Sequence, residues 1–271
     1  MPTQGGTMTE ASAPFARYVA VGDSFTEGVG DEDPLLPGGV RGWADRVAEV
    51  LATQNPAFTY ANLAIRGKLI APIVAGQVEH AVALQPDLIT FCAGGNDILR
   101  PGTDPDDIAA QFDRALARLA STGARLVVFT GIDVGSRPVF GLIRGKVAIY
   151  NENIRVSAAR YGATVVDQWG MTFLQDPRMW APDRLHFSAL GHHNMAIQVL
   201  SALGIPNQLH PEQPEPTPEH GWLPTTEDLH WARDYLWPWV VRRVRGASSG
   251  DGRHAKRPHP TPVHPDGAPS R

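Results

Sequence analysis

The sequence predicts a doubly wound α/β fold of three layers (α/β/α), with helices on both faces of a mainly parallel, five-stranded sheet. Three observations carry that expectation. Short apolar, β-prone runs alternate along the chain with longer stretches of helical period. The first run, Tyr18-Val-Ala-Val21, is apolar at consecutive positions, as a strand covered on both faces must be. Clusters of Gly, Asp, Asn and Ser follow the first three runs directly, at the strand ends where open α/β sheets hold their chemistry.

The elements can be justified in order. Residues 1–13 read as a flexible leader, and a single catalytic-sized domain is expected over 14–205. After the first strand, Gly22 permits a sharp turn into Asp23-Ser24-Phe25. Arg41 to Leu51 places Trp43, Val47, Val50 and Leu51 at helical spacing, one face toward the sheet. Phe58 to Ala61 is the second strand, and Asn62-Leu-Ala-Ile-Arg-Gly67 a loop after it. Leu69 to Leu84 has helical period weakened by Pro72 and Gly76. Asp87 to Ala93 is the third strand. Cys92 lies in its apolar run as packing rather than as a reactive thiol, and the strand delivers Gly94-Gly-Asn-Asp97. Asp104 to Ser121 carries Ile108, Phe112, Ala115, Leu116 and Leu119 on one helical stripe, with Gly123 as C-cap. Arg125 to Thr130 is the fourth strand. The loop from Gly131 to Gly145 holds Pro138, Val139, Phe140, Leu142 and Ile143, which either line a substrate wall or pack down. Lys146 to Tyr161 is a helix, Ala163 to Asp167 the fifth strand, and Gln168 to Pro182 irregular. Ser188 caps a last helix running to about Leu203.

Past residue 205 the composition shifts. Pro206 to Pro218 contains five prolines and suits an extended connector. Trp222 to Val244 is aromatic and basic, with Trp231, Tyr235 and Trp239 four apart and Pro238 as a kink. The segment 206–245 is therefore expected to be a connector and a helical appendage packed on the main domain. An interfacial helix making peripheral membrane contact, or a partner-binding arm, is the alternative. Residues 246–271, rich in Gly, Pro, His and Ser, are expected to be disordered.

The totals set bounds. In 271 residues, 42% are apolar and 19% charged, and the formal charge is -4, which gives no reason to expect a nucleic-acid partner. A single cysteine cannot form an internal disulfide, and Met1 to Glu10 have neither a basic start nor an apolar core, so a cytoplasmic location is expected. No window approaches a membrane span.

Chemistry is carried by four short blocks. Gly-Asp-Ser alone is a common turn. Paired with Asp183-Arg-Leu-His186 far downstream, it gains a base and an orienter. A spacing of three lets Asp183 reach the Nδ1 side of His186, leaving Nε2 for Ser24. Loops after parallel strands emerge on one edge, so the backbone amides of Ser24 and Gly67 and the Asn96 side-chain amide can converge as an oxyanion hole. Asp23 and Asp97 are expected to tie the loops together, and Asn62 to hold the Gly67 loop.

These blocks are Gly22-Asp-Ser-Phe25, Asn62-Leu-Ala-Ile-Arg-Gly67, Gly94-Gly-Asn-Asp97 and Asp183-Arg-Leu-His186. In that order, over residues 18 to about 203, the chain resembles the SGNH hydrolases, or GDSL esterase/lipase family. Phe25 replaces the usual leucine, a change in packing beneath the turn. The resemblance implies an SGNH/flavodoxin-like fold and a serine esterase with Ser24 as nucleophile, His186 as base and Asp183 as orienter. It implies oxyanion donors at Ser24, Gly67 and Asn96, and neither cofactor nor metal. The expected substrate is a small carboxylic ester of short or medium acyl chain. Sugar acetates, lysophospholipids and thioesters are the alternatives within the same fold. Two rivals stand outside it. Asp23, Asn96, Asp97, Asp183, His186, His192 and His193 could serve a metal-dependent phosphoesterase, and the protein could be a non-catalytic binder.

Overall fold

The computed structural model describes residues 15–137, 140–214, 230–237 and 248–264. The leader, most of the aromatic appendage, Pro138, Val139 and the last seven residues lie outside them. The elements in chain order are β1 (Arg17–Gly22), α1 (Ser24–Glu27), α2 (Gly42–Gln54), β2 (Thr59–Asn62), α3 (Ile70–Ile73) and α4 (Glu79–Ala83). After these come β3 (Leu88–Cys92), α5 (Gly95–Ile98), α6 (Pro105–Ala120), β4 (Arg125–Phe129), α7 (Arg144–Tyr161), β5 (Thr164–Val166), α8 (Ala189–Leu203) and β6 (Arg257–Pro262).

The sheet runs β5-β4-β3-β1-β2-β6, with every pair parallel except β2 and β6. Strand order reverses between β1 and β3, the crevice where doubly wound sheets bind ligands. There Gly22 pairs with Cys92, so Asp23-Ser24 and Ala93-Gly94 leave the sheet side by side.

Alternation along each strand splits the core into two layers. Val19, Val21, Ile89, Phe91 and Val128 face one way, against α3, α4, α6 and α7. Tyr18, Ala20, Leu88, Val127 and Phe129 face the other, against α2 and α8. The helix expected over Leu69 to Leu84 forms, and a π-turn over Val74–Val78 joins α3 to α4. Asp104 caps α6 by accepting from Asp106 N–H, with Pro105 at the first helical position. The C-cap of that helix is Ser121, not Gly123, which lies two residues further on in a left-handed turn. Ser188 caps α8 as expected.

Two further expectations are corrected. Among the described residues the sheet has six strands rather than five, and the sixth comes from the stretch expected to be disordered. Residues 257–262 pair antiparallel with β2, Thr59 opposite Pro262 and Asn62 opposite Arg257. Lys256 anchors the strand. Its ammonium donates to Asp45 Oδ2 (2.5 Å) and to the carbonyls of Val40 and Arg41, with only 2% of the side chain exposed. A low apolar content therefore did not leave this segment without a partner; a buried ion pair and an open sheet edge supply one.

Candidate active site

At the end of β1 the backbone passes so close to β3 that only glycine fits. A Cβ on Gly22 would lie 2.6 Å from the Cys92 carbonyl and 2.6 Å from Thr26 Oγ1. The Gln77 side chain bonds both backbone groups of Gly22, at 2.9 Å each. Asp23 then caps the one-turn helix α1, and Ser24 is its first residue, nearly buried. Phe25 packs its ring against Trp43, Phe129 and Phe187, filling the space beneath the turn.

The loop after β2 is held from inside. Asn62 Nδ2 donates to the Thr26 carbonyl and Tyr60 Oη, and its Oδ1 accepts from Ala64 N–H. Glu27 clamps the next residues, accepting from Arg66 N (2.5 Å), Nε (2.8 Å) and Nη2 (2.6 Å). Gly67 follows with φ +72°, a left-handed conformation that favours glycine. Among the described residues, nothing accepts from the backbone N–H of Ser24 or of Gly67. Asn96 Nδ2 donates to Asp23 Oδ2 (3.0 Å) and to the Lys68 carbonyl (3.1 Å), so it bridges the first two loops. Asp97 Oδ2 accepts from Ile70 N–H, tying the third loop to α3. Asp23, Asn62 and Asp97 thus all join loops.

Asp183 and His186 form a self-contained hook. Asp183 Oδ1 accepts from the backbone N–H of Leu185 and His186, both at 3.0 Å, and Oδ2 meets His186 Nδ1 at 2.6 Å. Asp183 thus occupies the Nδ1 side of the ring and not its Nε2 side. Burial draws the Asp183 carboxyl upward. The hydrogen bond and charge of His186, with the two backbone donors, outweigh it and hold the group below its ordinary value. Asp23 behaves oppositely. Burial pushes it up to about 6, against the Phe25 N–H, His186 and the Asn96 amide, with Asp97 adding to the rise.

Ser24, Asn96 and His186 line one cavity of about 210 Å³. No hydrogen bond joins Ser24 to His186. The cavity is walled by Ile98, Leu99, Val134, Ile143 and Val147, with Tyr150 behind, its hydroxyl donating to the Ala93 carbonyl (2.9 Å). Phe140 and Ile143 therefore serve the wall, whereas Leu142 is 88% exposed. Cys92 lines the cavity too, its thiol pushed up by burial and by the charge of Asp23. Arg137 stacks on Trp180 (3.6 Å to the ring centre) and donates to the Arg184 carbonyl, joining this wall to the histidine loop. His192 and His193 are not among the lining residues. Among the described residues, no three His, Cys, Asp or Glu side chains are gathered to hold a metal ion. Sequence reasoning missed Glu27, Gln77, Arg137 and Tyr150, whose partners all lie far along the chain. The only local hint was an acidic residue three places after Ser24.

A serine at the switch point of an α/β/α sheet thus shares one cavity with a histidine held by an aspartate. The family model for GDSL-like Lipase/Acylhydrolase matches residues 20–193, and the chain belongs to that family of ester hydrolases. The fold is similar to that of LAE5, an alpha/beta hydrolase enzyme from the metagenome of Lake Arreo, Spain. That likeness has 24% identity and TM-score 0.60, over 71% of this chain and 97% of that one. It is also similar to Axe2, an acetylxylan esterase from Geobacillus stearothermophilus (19%, TM-score 0.58, 70% and 95%). A third likeness is to a lipolytic G-D-S-L family member from Veillonella parvula (21%, TM-score 0.54, 69% and 97%). A sequence search of curated proteins finds no match. Among the described residues no helix is long and apolar enough to cross a membrane.

Proposed function

We propose that the protein hydrolyses carboxylic esters of short or medium acyl chain through an acyl-enzyme on Ser24. The observation that carries this reading is the Asp183–His186 hook at 2.6 Å, whose histidine shares the cavity of Ser24. His186 Nε2 takes the Ser24 proton as Oγ attacks the ester carbonyl. The developing oxyanion is met by the N–H groups of Ser24 and Gly67, and by Asn96 once its amide turns from Asp23 or the Lys68 carbonyl. His186 then gives its proton to the leaving alcohol. Water, deprotonated by the same ring, attacks the acyl carbon and releases the acid and Ser24. Asp183 keeps the proton on Nδ1 and stabilises the imidazolium formed on the way. The aliphatic wall of the cavity favours an alkyl acyl group over a bare acetyl. A sugar acetate of the kind Axe2 is named for is accordingly the second choice.

The test is labelling with an alkyl phosphonate ester, mapped by mass spectrometry, beside turnover of p-nitrophenyl acetate, butyrate and octanoate. An adduct on Ser24, loss of turnover in Ser24→Ala and His186→Ala, and indifference to EDTA are expected. An active Ser24→Ala enzyme that loses its turnover to EDTA would instead favour the metal-dependent phosphoesterase.

A further inference from the structure

The chain beyond residue 229 touches both loops that bear reacting groups. Trp231 Nε1–H donates to the Asp183 carbonyl (2.8 Å), and the Arg184 guanidinium lies 5.1 Å from the same ring's centre. The second contact is closer to the chemistry. Residues 248–251 form a turn closed by its own bonds. Ser248 N–H donates to Asp251 Oδ2 (2.7 Å), Asp251 N–H to the Ser248 carbonyl (3.1 Å), and Gly250 N–H to Ser248 Oγ (3.1 Å). Lys256 and β6 fix where the turn sits. It rests on Arg66 and Gly67 so tightly that neither side has room for a side chain. A Cβ on Gly250 would lie 2.1 Å from the Arg66 carbonyl, and one on Gly67 would lie 2.5 Å from Ser248 Oγ and 2.7 Å from Ser249 Oγ. The Gly67 loop is thus gripped by Glu27 on one side and by this turn on another.

We propose that the Ser248–Gly250 turn is a positioning element of the active site, holding the Gly67 N–H where the oxyanion forms. This rests on the reading of Gly67 as an oxyanion donor. A donor loop that shifts by a fraction of an ångström loses much of its worth in the transition state while the ground-state ester still binds. The turn therefore acts on kcat and not on KM.

The experiment is a double-mutant cycle on p-nitrophenyl butyrate hydrolysis, with kcat, KM and melting temperature recorded for each protein. Gly250→Ala, whose new methyl must push the turn off the Arg66 carbonyl, is expected to lower kcat about tenfold with KM within about twofold. The pair Gly67→Ala with Gly250→Ala is expected to lose little more kcat than Gly67→Ala alone, because the turn then has no aligned donor to position. The double variant Ser248→Ala with Ser249→Ala adds no atoms and removes the two hydroxyls that face Gly67. It also removes the Ser248 Oγ that accepts from Gly250 N–H, so it loosens the turn as well; it serves if Gly250→Ala fails to fold, and a fall in kcat at constant KM is again expected. Unchanged kcat in a folded variant, equal changes in kcat and KM, or fully multiplicative losses in the cycle would each overturn the proposal. Turnover and phosphonate labelling of the wild type come first, so a failed esterase reading shows itself before the turn is tested.

Discussion

Both nitrogens of the His192 ring are committed to backbone groups. Nδ1 accepts from Trp43 N–H (3.2 Å), so the proton is on Nε2, which donates to the Val29 carbonyl (3.2 Å). The ring is fully buried, and burial holds its pKa well below the ordinary histidine value. The unfolded chain takes up a proton near pH 6.5, while the native ring refuses it. The stability His192 contributes is thus present above that pH and lost as pH falls below it. Asp23 has the opposite sign. Raised to about 6, it favours the native state at low pH, and that contribution fades as pH climbs from about 4 to about 6. His192→Gln is therefore expected to be less stable at pH 7, by about 1–3 kcal/mol for disturbed buried hydrogen bonds. It should also lose less on going from pH 7 to pH 4 than the wild type does. Urea titrations at pH 7, 5.5 and 4 read this directly, and parallel curves for the two proteins would refute it. At this scale the sequence was legible where a group's partner is close by, as with Asp183 and His186. His192 was pooled with possible metal ligands because its partners lie 149 and 163 residues away.

Periodicity exposed five strands and the long helices, since each of these elements carries its own apolar pattern. The sixth strand carries none. Its prolines at 258, 260 and 262 read as a disordered composition, yet their spacing has a structural meaning. Alternate N–H groups of a strand point to opposite sides, so removing every second one leaves a strand able to donate on one side only. Such a segment can form an edge and nothing else, which is the place β6 occupies. Its lock is Lys256 on Asp45, a carboxyl that burial raises to about 6 despite the facing ammonium. Lys256→Met should leave that carboxyl buried without its charge partner and cost about 3–5 kcal/mol at pH 7. Adding Asp45→Leu should recover much of the loss. Because the lone carboxyl can be neutralised, the single variant should also regain stability between pH 7 and pH 5. Denaturant midpoints of the wild type, both single variants and the double variant measure this; an additive cycle with no pH dependence would count against the lock.

The molecule as a whole places the cavity of Ser24 and His186 at the β1/β3 reversal and closes the opposite flank of β1 with β2 and β6. A disordered composition over residues 246–271 implies that a chain ended after residue 246 would fold and turn over unchanged. With a strand and a turn formed by residues 248–262, the opposite outcome is expected. Ending there removes β6 and bares the edge of β2, with its unpaired backbone groups available to another copy. It takes the Lys256 ammonium from Asp45, and it takes away the turn against Gly67. The loss of the strand should lower the melting temperature, the bared edge should promote self-association, and the missing turn should lower kcat more than it alters KM. These consequences separate by experiment. Light scattering across a concentration series reports the edge, thermal melting reports the strand and its ion pair, and steady-state kinetics at the lowest usable concentration report the oxyanion loop. A truncated chain that remains monomeric, melts with the full chain and keeps its kcat would mean that β6 and its turn contribute nothing to sheet or site.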